Sequence, residues 1–158
     1  MSGPHRVEGQ VDAQSRKVAL LAARFNDFIV ASLLKGAEGS WVAHGGALED
    51  LLVVRVPGAF ELPVAARRLA ASGRYDALVA LGCVIRGGTP HFEYVAGECA
   101  GGLQRVALET GVPVIFGVLT VDTVEQAVER AATGAGNKGA EAMEAALEMA
   151  GVFAQLGP

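Results

Sequence analysis

Four short apolar runs, none of which alternates with polar residues, constrain the fold of this chain more than any other feature. The runs lie within residues 17–24, 51–56, 77–85 and 112–119. A strand with one face in water alternates apolar and polar residues, whereas an uninterrupted apolar run indicates burial on both faces. The runs therefore predict a parallel sheet whose strands are covered on both sides.

Helical patterns fill the segments between and after these runs. Apolar residues recur at helical spacing in residues 28–44, 61–72, 91–110, 124–132 and 138–154. Thr123-Val-Glu-Gln126 has the form of a capping box, and Asn137 suits the N-cap of the last helix. Strands that alternate with helices predict an α/β protein, a three-layer α/β/α sandwich with a four-stranded parallel sheet and right-handed crossovers.

Length and composition favour one globular domain. The 158 residues, 51% of them hydrophobic, suit a single domain over residues 1–158, with residues 1–16 as an N-terminal arm. A net charge of −4 disfavours binding to nucleic acid or to an anionic membrane surface. Gly101 and Gly102, in the middle of a predicted helix, indicate either tight packing against a second subunit or a local kink.

The location of the protein is predicted from what the chain lacks. No run reaches the roughly 18 apolar residues of a membrane span, and the polar N-terminus does not have the form of a signal peptide. Cys83 and Cys99 lie in apolar surroundings without C-x-x-C spacing, so we expect buried thiols and a reducing compartment. These features predict a cytoplasmic protein that does not bind membranes.

The third apolar run leads into a segment typical of an anion site. The run ends at Ile85 and is followed by a glycine pair, Thr89 and Pro90, and then by a helical pattern that begins near His91. Glycines allow backbone N–H groups to converge, and a helix N-terminus adds partial positive charge. Thr89 is the expected N-cap and Pro90 the expected first helical residue. A phosphate site with a proton-transfer residue, His91, is therefore predicted.

Other candidate residues stand at the carboxyl ends of the predicted strands, where α/β folds bind ligands. Phe25 and Phe60 could stack on a flat ring or cover the core, and Glu61 could accept N–H groups of a heterocycle or stabilise a helix N-terminus. His91 itself could be a surface residue. The sequence pattern alone leaves these alternatives open.

The cations and Phe116 have equally plain structural explanations. Arg86 could bind an anion or form a salt bridge, and Arg130 near a helix C-terminus suits the helix dipole. Lys138 lies at the start of a predicted helix, where a positive charge is unfavourable. This position is a weak indication of a ligand or a partner. Phe116, inside a predicted strand, has the position of a core residue.

Two kinds of chemistry have little support in the pattern. A nucleophilic pair of Cys83 and His91 is conceivable, but a thiol inside an apolar strand has a raised pKa. The histidines and cysteines lack ligand spacing, so no metal site and no cofactor is predicted. The glycine pair does not belong to a P-loop.

Five segments together resemble the lumazine synthase family. They are Ala23-Arg-Phe-Asn26, Val56-Pro-Gly-Ala-Phe-Glu-Leu-Pro63, the segment from Gly82 to Val95, Pro113-Val-Ile-Phe-Gly-Val-Leu-Thr120 and Gly136-Asn-Lys-Gly139. The resemblance covers roughly residues 17–156. It implies a flavodoxin-like fold and, in riboflavin biosynthesis, the condensation of 5-amino-6-(D-ribitylamino)uracil with 3,4-dihydroxy-2-butanone 4-phosphate to give 6,7-dimethyl-8-ribityllumazine.

The resemblance also implies a role for each matching residue. His91 matches the proton-transfer residue, and Gly88, Thr89 and Arg130 match the phosphate site. The residues that match the binding site for the ribitylaminouracil are Phe25, Ala59, Phe60, Glu61, Cys83, Val84, Ile85, Phe116 and Lys138. Phe116, Arg130 and Lys138 match positions that the family supplies from an adjacent subunit, so the resemblance reverses the structural explanation of Phe116 and Arg130.

Assembly is implied by the same resemblance. Family members are built on pentamers, and some close into shells of sixty subunits. The segment 132–137 is short here, as in the members that form shells, and therefore favours a sixty-subunit shell. Two rival interpretations are a flavodoxin-like binding or signalling module without catalysis and a shell protein with a vestigial site.

Overall fold

A computed structural model of the protein describes residues 2–158, and its elements follow the predicted order. Short 3-10 turns at Leu48–Asp50 and Ala59–Glu61 precede β2 and α2. The four strands and five helices are β1 (Val18–Ala23), α1 (Asp27–Ala43), β2 (Leu52–Val56), α2 (Leu62–Ala71), β3 (Ala77–Ile85), α3 (His91–Thr110), β4 (Val114–Val121), α4 (Val124–Ala131) and α5 (Lys138–Leu156).

The four strands form one parallel sheet in the order β2-β1-β3-β4. Every residue of the central strand β1 is buried, and so is every residue of β3 except its last, Ile85. The prediction of burial on both faces is wrong for the edge strands, because Leu52 and Arg55 of β2 and Phe116 and Thr120 of β4 are exposed. Strand order decides which apolar runs are central, and the runs themselves do not reveal it.

Helices cover both faces of the sheet, which confirms the three-layer, flavodoxin-like α/β fold. Successive side chains of β1 point to opposite faces. Val18, Leu20 and Ala22 pack into a core cluster with α1, α4 and α5, whereas Ala19, Leu21 and Ala23 pack into a second cluster with α2 and α3. The carboxyl ends of β1, β2 and β3 lie at the same edge of this parallel sheet, and most of the predicted site residues follow them.

Two of the three predicted helix caps are confirmed. The Thr123 hydroxyl accepts a hydrogen bond from the backbone N–H of Gln126, and the Asn137 side chain accepts one from Ala140. The capping box is incomplete, because the Gln126 side chain accepts the N–H of Asp122 instead of that of Thr123. The bond between Gln126 and Asp122 ties the first turn of α4 to the residue that directly follows β4.

The third predicted cap, Thr89, is wrong. Pro90 is the N-cap of α3, no side chain caps this helix, and the first carbonyl to accept is that of Pro90, from the Glu93 N–H at 3.0 Å. Proline already holds φ near the helical value, so the chain can turn one residue later than predicted. As a result, the Thr89 side chain is exposed and its hydroxyl has no capping role.

Helices α1 and α5 cross in unusually close contact at two glycines. A Cβ on Gly139 would lie 2.0 Å from the Leu33 carbonyl oxygen, and one on Gly36 would lie 2.1 Å from the Asn137 side-chain oxygen. The space left by Gly36 is filled by Asn137, which is 3% exposed and donates to the carbonyl oxygens of Ser32 (3.2 Å), Ala131 (3.0 Å) and Ala132 (3.2 Å). Asn137 thus ties α1, α4 and α5 together.

The glycine pair within α3 is explained partly inside the chain. A Cβ on Gly102 would lie 2.8 Å from two atoms of the Pro63 side chain in α2, so this glycine allows α2 and α3 to pack closely. A Cβ on Gly101 would meet nothing within 4 Å, and this glycine faces outward. Packing within one chain therefore explains Gly102 and gives no reason for Gly101. Within residues 2–158, no helix is both long and apolar enough to cross a membrane.

Candidate active site

A cavity of about 360 Å³ opens at the carboxyl ends of β1 and β3, beside the N-terminus of α3. It contains seven of the predicted site residues, supplied by three strand ends and one helix start. It is lined by Phe25, Asn26, Ala59, Cys83, Val84, Ile85, Gly87, Thr89, His91, Phe92 and Val95. Gly88 is exposed in the same loop, but its neighbour Gly87 is the glycine that lines the cavity.

Phe25 is held at the cavity mouth by its backbone. Its N–H donates to the Pro57 carbonyl oxygen (3.0 Å), and the N–H of Arg24 donates to that of Val56 (2.8 Å), so the chain continues the pairing with β2 beyond the last strand residue. The Phe25 side chain is nevertheless 72% exposed. An uncovered aromatic ring on a backbone that is held in place suits stacking on a planar ligand.

Asn26 is a site residue that the sequence analysis did not single out. It takes the left-handed conformation (φ 62°) at the N-cap of α1, and its Nδ2 donates to the Cys83 carbonyl oxygen at 2.8 Å. Asparagine tolerates this conformation better than other residues with a side chain. The bond joins the ends of β1 and β3 and thereby sets Phe25 relative to the cavity floor. The available signal was an asparagine at a strand end, directly before a helix.

A second cavity, of about 480 Å³, adjoins the first and contains Phe60 and Glu61. The two cavities share Phe25, Ala59, His91 and Val95, so together they form one continuous cleft. Glu61 occupies the N-cap position of α2, but its side chain makes no capping hydrogen bond. The charge of Glu61 can still stabilise this helix N-terminus, but without a capping bond its carboxylate is also available to the cleft, so both explanations stand.

His91 and Thr89 stand where the cleft meets α3. His91 is the first residue of this 20-residue helix, and both side chains are exposed. The first N–H groups of a helix have no partner within it and carry partial positive charge. An anion bound beside Thr89 and the glycine loop would therefore meet favourable charge from α3, with the His91 imidazole close by.

The cysteines do not behave as nucleophiles. Burial raises the pKa of Cys83 to about 11, and it does the same for Cys99. Both are free thiols and would be almost fully protonated near neutral pH. The idea of a Cys83–His91 nucleophilic pair is therefore wrong, and Cys83 contributes only shape to the cavity wall. Within residues 2–158 no group of three or more potential ligand side chains could hold a metal ion.

Phe116, Arg130 and Lys138 lie in a separate cavity of about 360 Å³ along the free edge of β4. This edge cavity shares no lining residue with the cleft. The guanidinium of Arg130 donates to the Gln126 carbonyl oxygen (3.1 Å), and the Lys138 ammonium pairs with Glu141 (3.2 Å). Within one chain, the structure therefore does not bring these three residues together with His91.

A scan against protein-family models matches residues 15–154 to the model for 6,7-dimethyl-8-ribityllumazine synthase. Enzymes of this family condense 5-amino-6-(D-ribitylamino)uracil with 3,4-dihydroxy-2-butanone 4-phosphate in riboflavin biosynthesis. The match covers all four strands and nearly all of the last helix. The chain therefore belongs to the 6,7-dimethyl-8-ribityllumazine synthase family and is a transferase of riboflavin biosynthesis.

Proposed function

We propose that the cleft of one chain and the edge cavity of a second copy together form the active site for this condensation. The family implies oligomeric assembly in general. In this arrangement Phe25 stacks on the pyrimidine, Thr89 and Gly88 bind the phosphate, and His91 transfers protons. Ala59, Phe60 and Glu61 read the uracil and ribityl chain, Cys83, Val84 and Ile85 lie along the ribityl group, and the neighbouring copy supplies Phe116, Arg130 and Lys138.

The observation that carries this proposal is the separation of the two cavities. The cleft offers an uncapped helix N-terminus and a glycine loop for a phosphate, but its lining contains no lysine or arginine. Arg130 and Lys138 lie in the edge cavity, with an exposed aromatic ring at Phe116. A phosphate dianion needs charge compensation, so the two surfaces are chemically complementary.

The reaction requires orientation and proton transfer more than covalent help from the protein. An amine of the uracil substrate attacks the ketone and one water is lost as the imine forms, phosphate is then eliminated, and the ring closes with loss of a second water. Fixing two reactants face to face in one pocket removes up to about 7–11 kcal/mol of the barrier in ideal cases. In this proposal, His91 accepts the proton that the attacking amine loses and returns it to a leaving oxygen.

A complementation experiment tests the shared site. We expect His91→Ala and Arg130→Ala chains, co-expressed with different tags and purified as mixed assemblies, to regain about a quarter of the wild-type number of intact sites, because a head-to-tail ring then pairs an intact cleft with an intact edge cavity at random. The measured quantity is lumazine fluorescence produced per milligram, above the activity of either variant alone.

The matched control mixes Arg130→Ala with Phe116→Ala, two variants of the same edge cavity, and should show no gain. If the His91 and Arg130 variants together give only the sum of their separate activities, each chain carries its own complete site and the proposal fails.

The size of the assembly is a further part of the proposal. We expect pentamers that close into a sixty-subunit shell, because the connection 132–137 between α4 and α5 is short and carries no insertion. Multi-angle light scattering should give a particle near 60 times the 16.2 kDa chain mass. Particles of only five or ten chains would contradict the shell, while leaving the shared site intact.

The domain organisation and the cellular location of the protein are also part of the proposal. Residues 1–158 act as one domain with residues 1–16 as an arm, of which Met1 lies outside the described residues. The Ala13 N–H, which donates to the His44 carbonyl oxygen at the end of α1, supports the docking of this arm on the domain. The protein works in the cytoplasm, in keeping with its two free, buried thiols.

A further inference from the structure

Arg86, the residue that follows β3, joins three elements at the rim of the cleft. Its Nε donates to Asp122, directly after β4, at 2.9 Å, and its Nη1 donates to Glu93, in the first turn of α3, at 2.5 Å. The guanidinium also lies over the Phe92 ring, 4.4 Å from its centroid. The sequence alone left Arg86 undecided between anion binding and a salt bridge, and the structure favours the salt bridges.

These contacts enclose the loop 87–90 from both sides. The Arg86 N–H donates to the Val121 carbonyl oxygen (2.8 Å), so the start of the loop is tied to β4, while Glu93 ties the same side chain to the helix that follows. The loop itself has little packing, since a Cβ on Gly87 or Gly88 would meet nothing within 4 Å. Its conformation therefore depends on how its two ends are held.

We propose that Arg86 is a positioning residue, which clamps Asp122 and Glu93 and so holds the phosphate loop and the first turn of α3 in the orientation that binds substrate. Arg86 does not line the cleft, whereas Ile85 before it and Gly87 and Thr89 after it do. It acts through the loop and not by touching phosphate. This inference rests on the proposed phosphate site.

The clamp keeps its charge across the range in which the enzyme would be assayed. The hydrogen bond from Arg86 lowers the pKa of the Glu93 carboxyl, and bonds to Asp122 and Glu93 raise the pKa of Arg86. Glu93 therefore stays ionised near neutral pH and loses its charge only well into the acidic range. Assays at pH 7–8 report on the intact clamp.

Charge and position predict opposite effects, which makes the inference testable. If Arg86 helped only as a nearby positive charge, neutralising Glu93 or Asp122 would strengthen phosphate binding, because it removes repulsion of the substrate anion. If Arg86 acts by holding the loop, the same substitutions release one arm of the clamp and weaken binding. The two mechanisms thus differ in the sign of the change.

The experiment measures KM for the butanone phosphate and inhibition by inorganic phosphate in Glu93→Gln, Asp122→Asn, Arg86→Gln and Arg86→Lys. We expect KM and the phosphate inhibition constant to rise about three- to tenfold in each, with kcat and the KM of the uracil substrate changed less than about twofold. Arg86→Lys should recover only part of the loss, because an ammonium cannot reproduce the planar two-armed contact.

Arg67→Gln is the matched control, since Arg67 forms an equally exposed salt bridge with Glu109 (2.7 Å) that joins α2 to α3 away from the loop. It should leave all constants unchanged. Unchanged or lowered KM in Glu93→Gln and Asp122→Asn would overturn the inference. Arg130→Ala tests the proposed phosphate site separately from the clamp. A wild-type KM for the butanone phosphate in that variant would contradict the phosphate site itself.

Discussion

Replacing Gly139 with alanine is expected to lower the free energy of unfolding by about 3 kcal/mol or more, at the upper end of the usual cost of overpacking. The added Cβ would lie 2.0 Å from the Leu33 carbonyl oxygen, 2.7 Å from its carbon and 2.9 Å from its Cα. All three are backbone atoms, so no side-chain rotation relieves the contact and α1 must move away from α5. In thermal unfolding of the assembled protein, this should lower Tm by about 10 °C.

Gly39→Ala provides the matched control on the same helix pair. Gly39 lies within α1, and a Cβ there would meet nothing within 4 Å. Alanine should raise stability by up to about 1 kcal/mol, because glycine is a poor helix former. If the Gly139→Ala variant unfolds at the wild-type temperature, α1 and α5 do not cross as closely as the structure describes, and the prediction is wrong.

Replacing His91 with alanine is expected to lower kcat by about 100-fold without abolishing turnover, which is the lower end of the usual contribution of a general acid–base residue. The remaining activity comes from holding both substrates in one pocket, a contribution that does not need the imidazole. KM values should change little. The measurement is steady-state formation of fluorescent lumazine with both substrates at saturation.

His44→Ala serves as the control for the loss of a histidine. His44 lies at the C-cap of α1, bonded through its ring to the Ser40 carbonyl oxygen (2.8 Å) and absent from the cleft. It should keep wild-type kcat. Two results would contradict the assignment of His91: complete loss of turnover, which would mean an obligatory covalent or acid–base role, or wild-type turnover, which would mean no role.

Much of the fold could be predicted because local signals agreed. Ala77–Ile85 and His91–Thr110 have the predicted ends, since an apolar run stops at a polar, glycine-containing segment and Gly111 takes the left-handed conformation that ends α3. What could not be predicted depends on neighbours distant in sequence. The exposure of residues in β2 and β4 follows from strand order. The N-cap of α3 is an exception with a local cause, since Pro90 itself holds a φ near the helical value and the helix begins one residue later than predicted.

The candidate site also contains residues that a local sequence signal predicts and residues that it does not. Phe25, Glu61 and His91 were identified because they follow strands, and one edge of a parallel sheet collects such residues. By sequence pattern, Arg130 suits a helix dipole and Phe116 a core position, so only the family resemblance assigns them to the site. The core position is wrong for Phe116, because its ring is exposed at the edge of the sheet. Asn26 cannot be assigned to the site from the sequence, because its role depends on a hydrogen bond to Cys83, 57 residues away, that no local pattern reveals.

The separation of the cleft from the edge cavity has a consequence for how this catalyst is switched on. If the active site is shared as proposed, a newly synthesised, solitary polypeptide is inert, and activity emerges only when copies join head to tail. In an open row of copies, the chains at the two ends each leave one surface without a partner, whereas a closed ring leaves none. Specific activity should then fall steeply when the protein is diluted below the concentration at which the assembly dissociates.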